Sequence, residues 1–274
     1  MNVISILESD FKDTKGDNKT VSQEDLMFLD KLKDSIKKNA QGHYEMPLPF
    51  KKRPSLTDNK RLAEIRLSHL RRKFSRDEKY KGDYTKYIKD IIKRGDVEEV
   101  PADGAQGERW YIPHHGVYHP QKPDKLRVVF DCSAKYCGTS LNEHLLPGPD
   151  MINNLTGILI RFRQPPIALL CDIEKMFHQF HVQEEDRNYL RFLWWKDGDT
   201  TTQPQEYSMK VHLFGAVSSP GCANYGLKYL AKEHSHSHPV GAQFVAKDFY
   251  VDDGITSADT VEKAIQLAQE AREI

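Results

Sequence analysis

Apolar and polar residues follow two different patterns along this chain, with a change near residue 109. Before that point, apolar residues recur three and four positions apart among charged ones, a spacing typical of amphipathic helices. Beyond it, short runs of β-branched and aromatic residues stand between turn-forming Gly, Pro, Asn and Asp, a pattern typical of strands mixed with helices. The sequence therefore predicts an α+β fold.

Three helices are predicted in the first half, with an extended linker between the first and the second. The first helix begins at Ser22, which stands at capping-box spacing from Asp25. The linker is 46–50, where each Pro keeps the residue before it out of the helical conformation. The third helix begins at Ser75, where Glu78 would complete a capping box. The apolar faces of the three helices are Leu26, Leu29, Leu32 and Ile36; Leu62, Ile65, Leu70 and Phe74; and Tyr80, Tyr84, Tyr87, Ile88 and Ile91.

Strands and helices are mixed in the second half. The continuous apolar run 167–171 predicts a central strand that is buried on both faces. A hairpin is predicted over 244–257, centred on Asp252-Asp253-Gly254. Further strands are predicted at 110–112, 116–119, 126–131, 189–195 and 208–214. A helix or turn is predicted at 155–162, and helices at 220–234 and from a cap at Asp259 or Thr260 onward.

The composition fits one large domain or two modest ones, with 274 residues, 38% of them hydrophobic and 29% charged. Lys and Arg together total 40, as do Asp and Glu, so the net charge does not indicate a nucleic-acid partner. No apolar run approaches membrane-spanning length and the first residues lack the layout of a signal peptide, so no membrane partner is expected. Four scattered cysteines favour a reducing, intracellular setting over a disulfide scaffold.

Three aspartates carry the candidate chemistry. Asp172 ends the apolar run, and Tyr250-Val-Asp-Asp253 places two adjacent carboxylates in the predicted hairpin. If strand and hairpin are neighbours, the three carboxylates repel one another unless hard cations lie between them, and Mg²⁺ accepts such oxygen ligands. Two ions about 3.5–4 Å apart support an in-line phosphoryl transfer. The alternative is an ordinary hairpin turn with no chemistry.

Two further patterns leave alternatives open. A basic helix face could follow a phosphate backbone, or it could be ordinary solvated surface; its residues are Arg61, Arg66, Arg71, Arg72 and Lys73. Cys132 and Cys137, with histidines nearby, suggest zinc, but their spacing is not that of a standard zinc knuckle and no second cysteine pair exists.

Four motifs, in this order, resemble the fingers and palm motifs of a reverse transcriptase: Leu126-Arg-Val-Val-Phe-Asp131, Cys171-Asp-Ile-Glu-Lys-Met-Phe177, Phe214-Gly-Ala-Val-Ser-Ser-Pro220 and Tyr250-Val-Asp-Asp253. The stretches 115–133 and 177–181 are most similar to the BEL/Pao class of long-terminal-repeat retrotransposons. The resemblance implies an antiparallel palm sheet packed on helices and cut before the thumb. It divides the chain into a partly disordered helical extension (1–45), a fingers-like region (46–165) and an incomplete palm (166–274).

The resemblance also assigns roles to individual residues. Asp172 and Asp252 would hold two Mg²⁺ ions, or Mn²⁺, with Asp253 as a weaker ligand and the backbone carbonyl of Ile173 completing a site. Phe177 would clash with a 2′-hydroxyl and so select deoxynucleotides. Lys122, or Lys125 in its place, and Arg127 would clamp the triphosphate. Phe214 and Gly215 would contact the nucleotide, although relatives often have Gln in place of Phe214. Proximity to the primer and template is implied for Tyr250, Ser219 and Pro220.

The implied function is RNA-directed DNA polymerase activity: transfer of a nucleotide from a dNTP to a primer 3′-hydroxyl on an RNA or DNA template. The partners are then the template–primer, dNTPs and the remainder of a pol polyprotein, whose ribonuclease H, protease and integrase would lie outside this chain. The expected location is the cytoplasm, including virus-like particles. The alternative is a catalytically inactive or host-retained remnant that acts as a nucleic-acid-binding or interaction domain. The sequence does not indicate an oligomeric state.

Overall fold

The structure is a computed structural model, and it describes residues 22–101 and 107–274. The prediction of a partly disordered start falls mainly on residues outside this part. The helices are α1 (Gln23–Lys33), α2 (Lys60–Phe74), α3 (Glu78–Arg94), α4 (Leu141–His144), α5 (Leu155–Phe162), α6 (Ser219–Glu233), α7 (Pro239–Lys247) and α8 (Val261–Glu273). Three short 3-10 helices span Met176–Gln179, Glu184–Leu190 and Lys196–Gly198.

The strands form small sheets in which nearly all pairs are antiparallel, so the predicted α+β class is confirmed. The strands are β1 (Lys37–Lys38), β2 (Tyr44–Met46), β3 (Val97–Glu99), β4 (His114–His119), β5 (Lys122–Phe130), β6 (Ile167–Asp172), β7 (Phe180–Val182), β8 (Arg191–Trp194), β9 (Gln205–Met209), β10 (Phe249–Tyr250) and β11 (Asp253–Ala258). The sheets, in spatial order, are β1-β2-β7, β10-β11-β6, β3-β9-β8 and the hairpin β4-β5. Only β2 and β7 run parallel among the described strands.

Two hydrophobic cores organise these elements. The first core lies among α2, α3, the β4-β5 hairpin and β8, and it is rich in aromatic rings: Tyr84 stacks on Trp194 with ring centroids 5.5 Å apart. The second core lies among α1, α6, α7 and α8, and it includes Phe28, Cys222 and Phe244. Strand pairing joins distant parts of the chain, since β3 pairs with β9 and β2 with β7. The division into three predicted regions stays a prediction.

No helix in residues 22–101 or 107–274 is both long and apolar enough to cross a lipid bilayer.

The first half follows the predicted helices, with two corrections at their ends. The capping box at Ser22 is confirmed, because its Oγ accepts from the N–H of Asp25 and its own N–H donates to the Asp25 carboxylate. The third helix does not begin at Ser75, which instead closes α2. It begins at Glu78, because Asp77 has extended backbone angles and its carboxylate accepts from the N–H of Tyr80 at 2.9 Å.

The apolar faces and the linker were predicted less accurately. In α1 the predicted Leu32 is buried, but Phe28 is buried with it and Leu26 is 55% exposed, and α1 ends before Ile36. In α2 the predicted Leu70 and Phe74 are buried, but Ala63 and Leu67 complete the buried face and Ile65 is exposed. The segment 46–50 is no linker, since Met46, Leu48 and Phe50 are buried in the two cores and 44–46 form β2. Alternating prolines exclude a helix there, but they permit a buried extended segment.

In the second half, helices 155–162 and 220–234 are confirmed to within a residue, and Thr260 is the residue that caps α8. Residues 110–112 form no strand; Tyr111 makes a single bridge to Arg191. A helix was missed, because α7 occupies residues 239–247 and leaves only 249–258 for the hairpin. Pro239 begins α7, consistent with the preference of Pro for the first helical turn.

Strand β6 differs most from its prediction. It has a single neighbour, β11, in its sheet, and its residues 168 and 170–172 are exposed to solvent, with Leu170 68% exposed. The prediction of a strand buried on both faces is therefore wrong. A continuous apolar run fits an edge strand as well as a central one, because the pattern carries no information about the number of neighbours.

Candidate active site

Asp172 and the Asp252-Asp253 pair meet because β6 and β11 are antiparallel neighbours. In this ladder Asp172 lies directly opposite Asp253, and Cys171 lies opposite Gly254. On its other edge β11 pairs with β10, where Asp253 lies opposite Tyr250. Residues 251 and 252 therefore form a two-residue turn beside the last residue of β6. A hydrogen bond fixes this arrangement, since the N–H of Ile173 donates to the carbonyl oxygen of Asp252 at 3.0 Å.

The turn lies one residue earlier than predicted, at Val251-Asp252, and Asp253-Gly254 already belong to β11. Val251 has a φ of 59°, a left-handed conformation that β-branched residues rarely adopt. Its side chain packs against the second core, which offsets the local strain. Gly254 is needed for close packing: a Cβ there would lie 2.5 Å from Sγ of Cys171 and 2.7 Å from Phe244.

The three carboxylates form a cluster that suits a metal ion. One carboxylate oxygen from each of Asp172, Asp252 and Asp253 lies within 4.8 Å of the others. Asp252 is half-buried, whereas Asp172 and Asp253 are exposed. Among the described residues no Lys, Arg or His pairs with any of the three. A cluster of hard oxygen ligands that the protein does not neutralise has the donor chemistry that Mg²⁺ and Mn²⁺ require.

Beside the cluster, Cys171 is held as a neutral thiol. Partial burial raises its pKa, and the negative charges of Asp172 and Asp253 raise it further. A thiol is a poor ligand for Mg²⁺, and a neutral one adds no charge to the site. The chemistry of this end of the sheet therefore rests on oxygen ligands.

Two aromatic rings from different parts of the chain stack on each other, and one of them, Phe177, follows Asp172 closely in sequence. Phe177 is in the 3-10 helix five residues after Asp172, and its ring is stacked on that of Phe214, with centroids 6.0 Å apart and planes 26° apart. Phe177 is half-buried against the second core, whereas Phe214 is 61% exposed. Phe214 thus presents an aromatic face to solvent where a Gln would present an amide.

Phe214 lies in a loop that runs to Val217, and Gly215 allows this loop to approach the end of β5 closely. Gly215 has a φ of 125°, and a Cβ there would lie 2.2 Å from the carbonyl oxygen of Phe130. Only glycine tolerates both conditions. The loop that carries Phe214 is therefore pressed against the β4-β5 hairpin.

Asn142 is a positioning residue that sequence reasoning missed. Its Nδ2 donates to the carbonyl oxygen of Gly215 at 3.0 Å, and its Oδ1 accepts from the N–H of Val217 at 2.9 Å. The same Nδ2 lies 2.9 Å from Oγ of Ser133, just after β5. The sequence signal was an Asn in a stretch rich in Gly, Pro and Asn, which predicts turns and gives no hint of a contact 73 residues away.

The β4-β5 hairpin carries the predicted phosphate clamps. Arg127 lies opposite Val117 in the ladder, and the register shifts directly after the pair Tyr118–Leu126, so Lys125 has no partner residue on the facing strand. Lys122 pairs with His119 at the other end, beyond a register shift, and all three cations are exposed. None of them has an ion-pair partner among residues 22–101 and 107–274. Lys122 and Lys125 therefore remain alternatives as the companion of Arg127.

The remaining predicted residues lie in different settings. Tyr250 is 36% exposed at the start of the turn. Ser219 begins α6 and is buried, with no hydrogen-bond partner for its Oγ among the described residues, whereas Pro220 is exposed. His114, near the zinc alternative, uses both ring nitrogens, on Tyr84 Oη and on the carbonyl oxygen of Leu193. It therefore has no nitrogen left for a metal ion.

The fold of this chain is similar to that of solved foamy-virus protein structures. A foamy viral protease-reverse transcriptase in complex with double-stranded DNA matches 72% of this chain with a TM-score of 0.51 and 16% identity. The protease-reverse transcriptase CSH mutant of Prototype Foamy Virus matches 72% of it with a TM-score of 0.50 and 18% identity. The chain spans 29% and 22% of the length of those two proteins. At this identity the likeness shows the fold alone: a mixed α+β fold resembling that of retroviral reverse transcriptases.

No protein-family model matches the chain, and no curated protein matches it.

Proposed function

We propose that this chain is the fingers and palm portion of an RNA-directed DNA polymerase from a BEL/Pao-type retrotransposon. The observation that carries the proposal is the convergence of Asp172, Asp252 and Asp253 within 4.8 Å on adjacent strands of an α+β fold. The likeness to reverse-transcriptase structures supports it at the level of the fold. Residues 46–165 would be the fingers, and 166–274 the palm.

In this proposal the carboxylates position two divalent cations. Asp172 and Asp252 would bind both ions, Asp253 would contribute a weaker contact, and the carbonyl of Ile173 would complete one site. Bound Mg²⁺ would lower the pKa of the primer 3′-hydroxyl and neutralise charge on the phosphates. The 3′-oxygen would form a bond to the α-phosphorus, the bond to the β-phosphate bridging oxygen would break, and pyrophosphate would leave with that electron pair. The hydroxyl proton would pass to solvent.

The other residues would hold the substrates. Arg127 and Lys125, or Lys122, would bind the triphosphate from the hairpin, since a guanidinium grips phosphate oxygens in a bidentate manner. Phe177 would lie beneath the sugar and exclude a 2′-hydroxyl. Phe214 stacks on Phe177, so it would support that ring, and the backbone of Gly215 would approach the nucleotide. Tyr250, Ser219 and Pro220 would border the primer and template.

The same proposal implies the template, the cellular location and the other parts of the polyprotein. The template would be RNA or DNA, the location intracellular, and the remaining enzymes of the element would lie on other parts of a pol polyprotein. The structure of a relative with double-stranded DNA is consistent with a nucleic-acid partner.

Primer extension tests the proposal. The protein, in the full reading frame that encodes it, is given an RNA template, a DNA primer, dNTPs and Mg²⁺. We expect incorporation by the wild type and a loss of about 100-fold or more in Asp252→Asn, because an amide cannot replace an anionic ligand. Asp259→Asn is the matched control, since Asp259 is an exposed carboxylate that follows the other end of β11. It should retain the wild-type rate.

Absence of incorporation by a folded wild type, or equal activity in Asp252→Asn, would overturn the assignment. Binding of template–primer without any incorporation would instead support the inactive, nucleic-acid-binding remnant.

A further inference from the structure

The segment 246–249, which leads into the turn between β10 and β11, is held at both ends by Asn153. Asn153 lies two residues before α5. Its Nδ2 donates to the carbonyl oxygen of Ala246 at 3.2 Å and to that of Phe249 at 2.9 Å. The first carbonyl belongs to α7 and the second to β10. One amide group therefore ties the end of a helix to the start of the strand that precedes Asp252.

Lys228 of α6 sets the orientation of this amide. Its Nζ donates to Oδ1 of Asn153 at 3.1 Å. An ammonium group can only donate, so Oδ1 faces Lys228 and the Nδ2 group is left for the two carbonyl oxygens. The amide cannot turn over without losing all three hydrogen bonds.

Arg161, in the last turn of α5, holds the two residues between those carbonyls. Its Nη2 donates to the carbonyl oxygen of Lys247 at 2.8 Å. Its Nε and Nη2 donate to Oδ1 of Asp248 at 3.0 and 2.8 Å. The carbonyl oxygen of Asp248 in turn accepts from the N–H of Ile255 in β11 at 2.9 Å. We call the hydrogen bonds of Asn153 and Arg161 to this segment the α5 clamp.

The hairpin that carries Asp252 has few hydrogen bonds of its own beside the turn. Strand β10 has two residues, which pair with Gly254 and Asp253. Val251, within the turn, has a φ of 59°, which is unfavourable for a β-branched side chain. A ladder this short with a strained turn depends on contacts from outside the hairpin. Repulsion among the three carboxylates also pushes the turn away from Asp172 when no cation lies between them.

The helix α5 leads directly into β6, the strand that ends at Asp172. It ends at Phe162, and β6 begins at Ile167. Strand β6 then pairs with β11 over 253–258. One continuous stretch, 153–172, therefore contacts the hairpin on both sides of the turn, through the α5 clamp before it and through the ladder after it. This arrangement sets where the turn lies relative to Asp172.

We propose that Asn153 and Arg161 are positioning residues for the aspartate cluster. They hold the turn so that Asp252 and Asp172 share a divalent cation. This inference rests on the proposed polymerase function. The effect passes through the backbone from Phe249 to Asp252, so loss of the α5 clamp should weaken the use of cations and leave the binding of nucleic acid unchanged.

Hydrogen exchange at single amides, measured by NMR, tests the geometry without catalysis. The N–H of Ile173 donates to the carbonyl oxygen of Asp252 at 3.0 Å, so its exchange rate reports the contact between the end of β6 and the turn. Asn153→Asp keeps the shape and the acceptor for Lys228, but it replaces the Nδ2 donor with an oxygen that repels two carbonyls. Exchange of the Ile173 amide should accelerate roughly 10- to 30-fold, as expected for two lost hydrogen bonds.

The amides of β8, in the first core, report global unfolding in the same spectra. Their exchange should stay at the wild-type rate. Equal acceleration at Ile173 and in β8 would show a general loss of stability and overturn the positioning role. Unchanged exchange at Ile173 would overturn it as well.

The chain offers a matched control for each variant. Asn154→Asp adds the same charge one residue along; Asn154 is exposed, and its Oδ1 accepts from the N–H of Gly157 at 3.1 Å, which a carboxylate does equally well. Arg161→Gln should accelerate exchange at Ile173 as Asn153→Asp does. Its control is Arg163→Gln, because Arg163 is also exposed and lies just beyond α5. Both controls should exchange like the wild type.

The dependence of primer extension on Mg²⁺ tests the effect on the proposed chemistry. Asn153→Asp and Arg161→Gln should need roughly 10-fold more Mg²⁺ for half-maximal rate, the lower end of the range for residues that orient metal ligands. The rate at saturating Mg²⁺ and the KM for template–primer should stay close to those of the wild type. A merely structural role would lower the maximal rate and leave the Mg²⁺ midpoint in place, which would overturn the inference.

The outcome is separable from that of the proposed function. Normal primer extension by the wild type, with an unmoved Mg²⁺ midpoint in both clamp variants, removes only the positioning role. Local acceleration at Ile173 in a protein that never incorporates a nucleotide supports the positioning of the turn and removes the polymerase.

Discussion

At the scale of single residues, Phe177 is the side chain whose setting most directly constrains the proposed chemistry. Its ring is held between the second core and the exposed ring of Phe214, so it cannot move aside without losing both contacts. Phe177→Ala should raise the ratio of ribonucleotide to deoxynucleotide incorporation by roughly 10- to 200-fold, the range for removal of a steric contact. Single-nucleotide extension with each substrate measures this ratio.

Phe177→Tyr is the conservative control, because it keeps the ring and should keep the discrimination. If Phe177→Ala leaves the ratio unchanged while extension continues, the ring is only a core residue and the proposed sugar selection belongs elsewhere.

Gly254 gives a residue-scale prediction on stability. A methyl group there would overlap Cys171, Phe244 and Phe249, with contacts of 2.5–2.8 Å. Gly254→Ala should therefore lower the free energy of unfolding by about 1–3 kcal/mol, the cost of overpacking. Gly82→Ala is the opposite control: this glycine lies inside α3 with nothing within 4 Å of the added atom, so alanine should stabilise by about 0.5–1 kcal/mol. Urea titration of both variants measures whether the free energy of unfolding falls or rises relative to the wild type. An unchanged free energy of unfolding in Gly254→Ala would contradict the close packing at this position.

The sequence could predict the local setting of each aspartate, because a strand end and a hairpin have recognisable signals, whereas their convergence depends on the pairing of the two strands. It could not place the turn at Val251. Asp252-Asp253-Gly254 has the better turn residues, and the positive φ falls instead on a valine whose side chain is held by the second core. Tertiary packing decided this position, and local propensity did not.

At the scale of elements, the loop from Phe214 to Val217 depends on a single distant side chain. Asn142 both donates to and accepts from this loop, so it fixes the backbone that presents Phe214. Asn142→Ala removes these bonds, each contributing about 1 kcal/mol, and should lower kcat/KM for dNTP by roughly 10-fold, mainly through KM. Steady-state rates of incorporation at a series of dNTP concentrations give kcat and KM separately.

Asn142→Asp separates positioning from general stability. Its carboxylate keeps the acceptor for the N–H of Val217 but loses the donor to Gly215, so KM should lie between those of the wild type and Asn142→Ala. A variant that loses thermal stability with no change in KM would argue against the positioning role.

Helices were easier to predict than strands because their signals are local. The capping box at Ser22 and the proline that begins α7 act within one turn, although α7 itself was missed beside a hairpin signal. The position of β6 at a sheet edge depends on which strands pair with it. Pairing joins residues that are 81 positions apart, as Asp172 and Asp253 are, and no window of sequence contains both.

At the scale of the whole molecule, three buried histidines couple the fold to pH. Burial lowers the pKa of His114, His181 and His212 from 6.5 to about 4. They lie in different parts of the structure: His114 packs among the aromatic rings of the first core, whereas His181 stacks on His43. The folded state therefore keeps these rings neutral at pH values where the unfolded chain would protonate them.

Stability should fall as the pH drops through this window. Between about 6.5 and 4 these rings bind more protons in the unfolded state than in the folded state, so their contribution to the free energy of unfolding decreases with falling pH and levels off below about 4. Each fully buried ring contributes at most about 1.4 kcal/mol per pH unit. Chemical denaturation at several pH values between 7.5 and 4 measures the slope.

His212 isolates this effect from the titration of carboxylates. It is 1% exposed, and neither ring nitrogen has a hydrogen-bond partner among the described residues. His212→Leu removes two unsatisfied polar atoms, so the free energy of unfolding at pH 7 should be unchanged or higher. Between pH 7 and pH 4 the difference in the free energy of unfolding between the variant and the wild type should grow by about 3 kcal/mol in favour of the variant. The exposed His236 serves as control, since His236→Leu should leave the slope unaltered. Parallel pH profiles for wild type and His212→Leu would mean that the buried ring does not link folding to protonation.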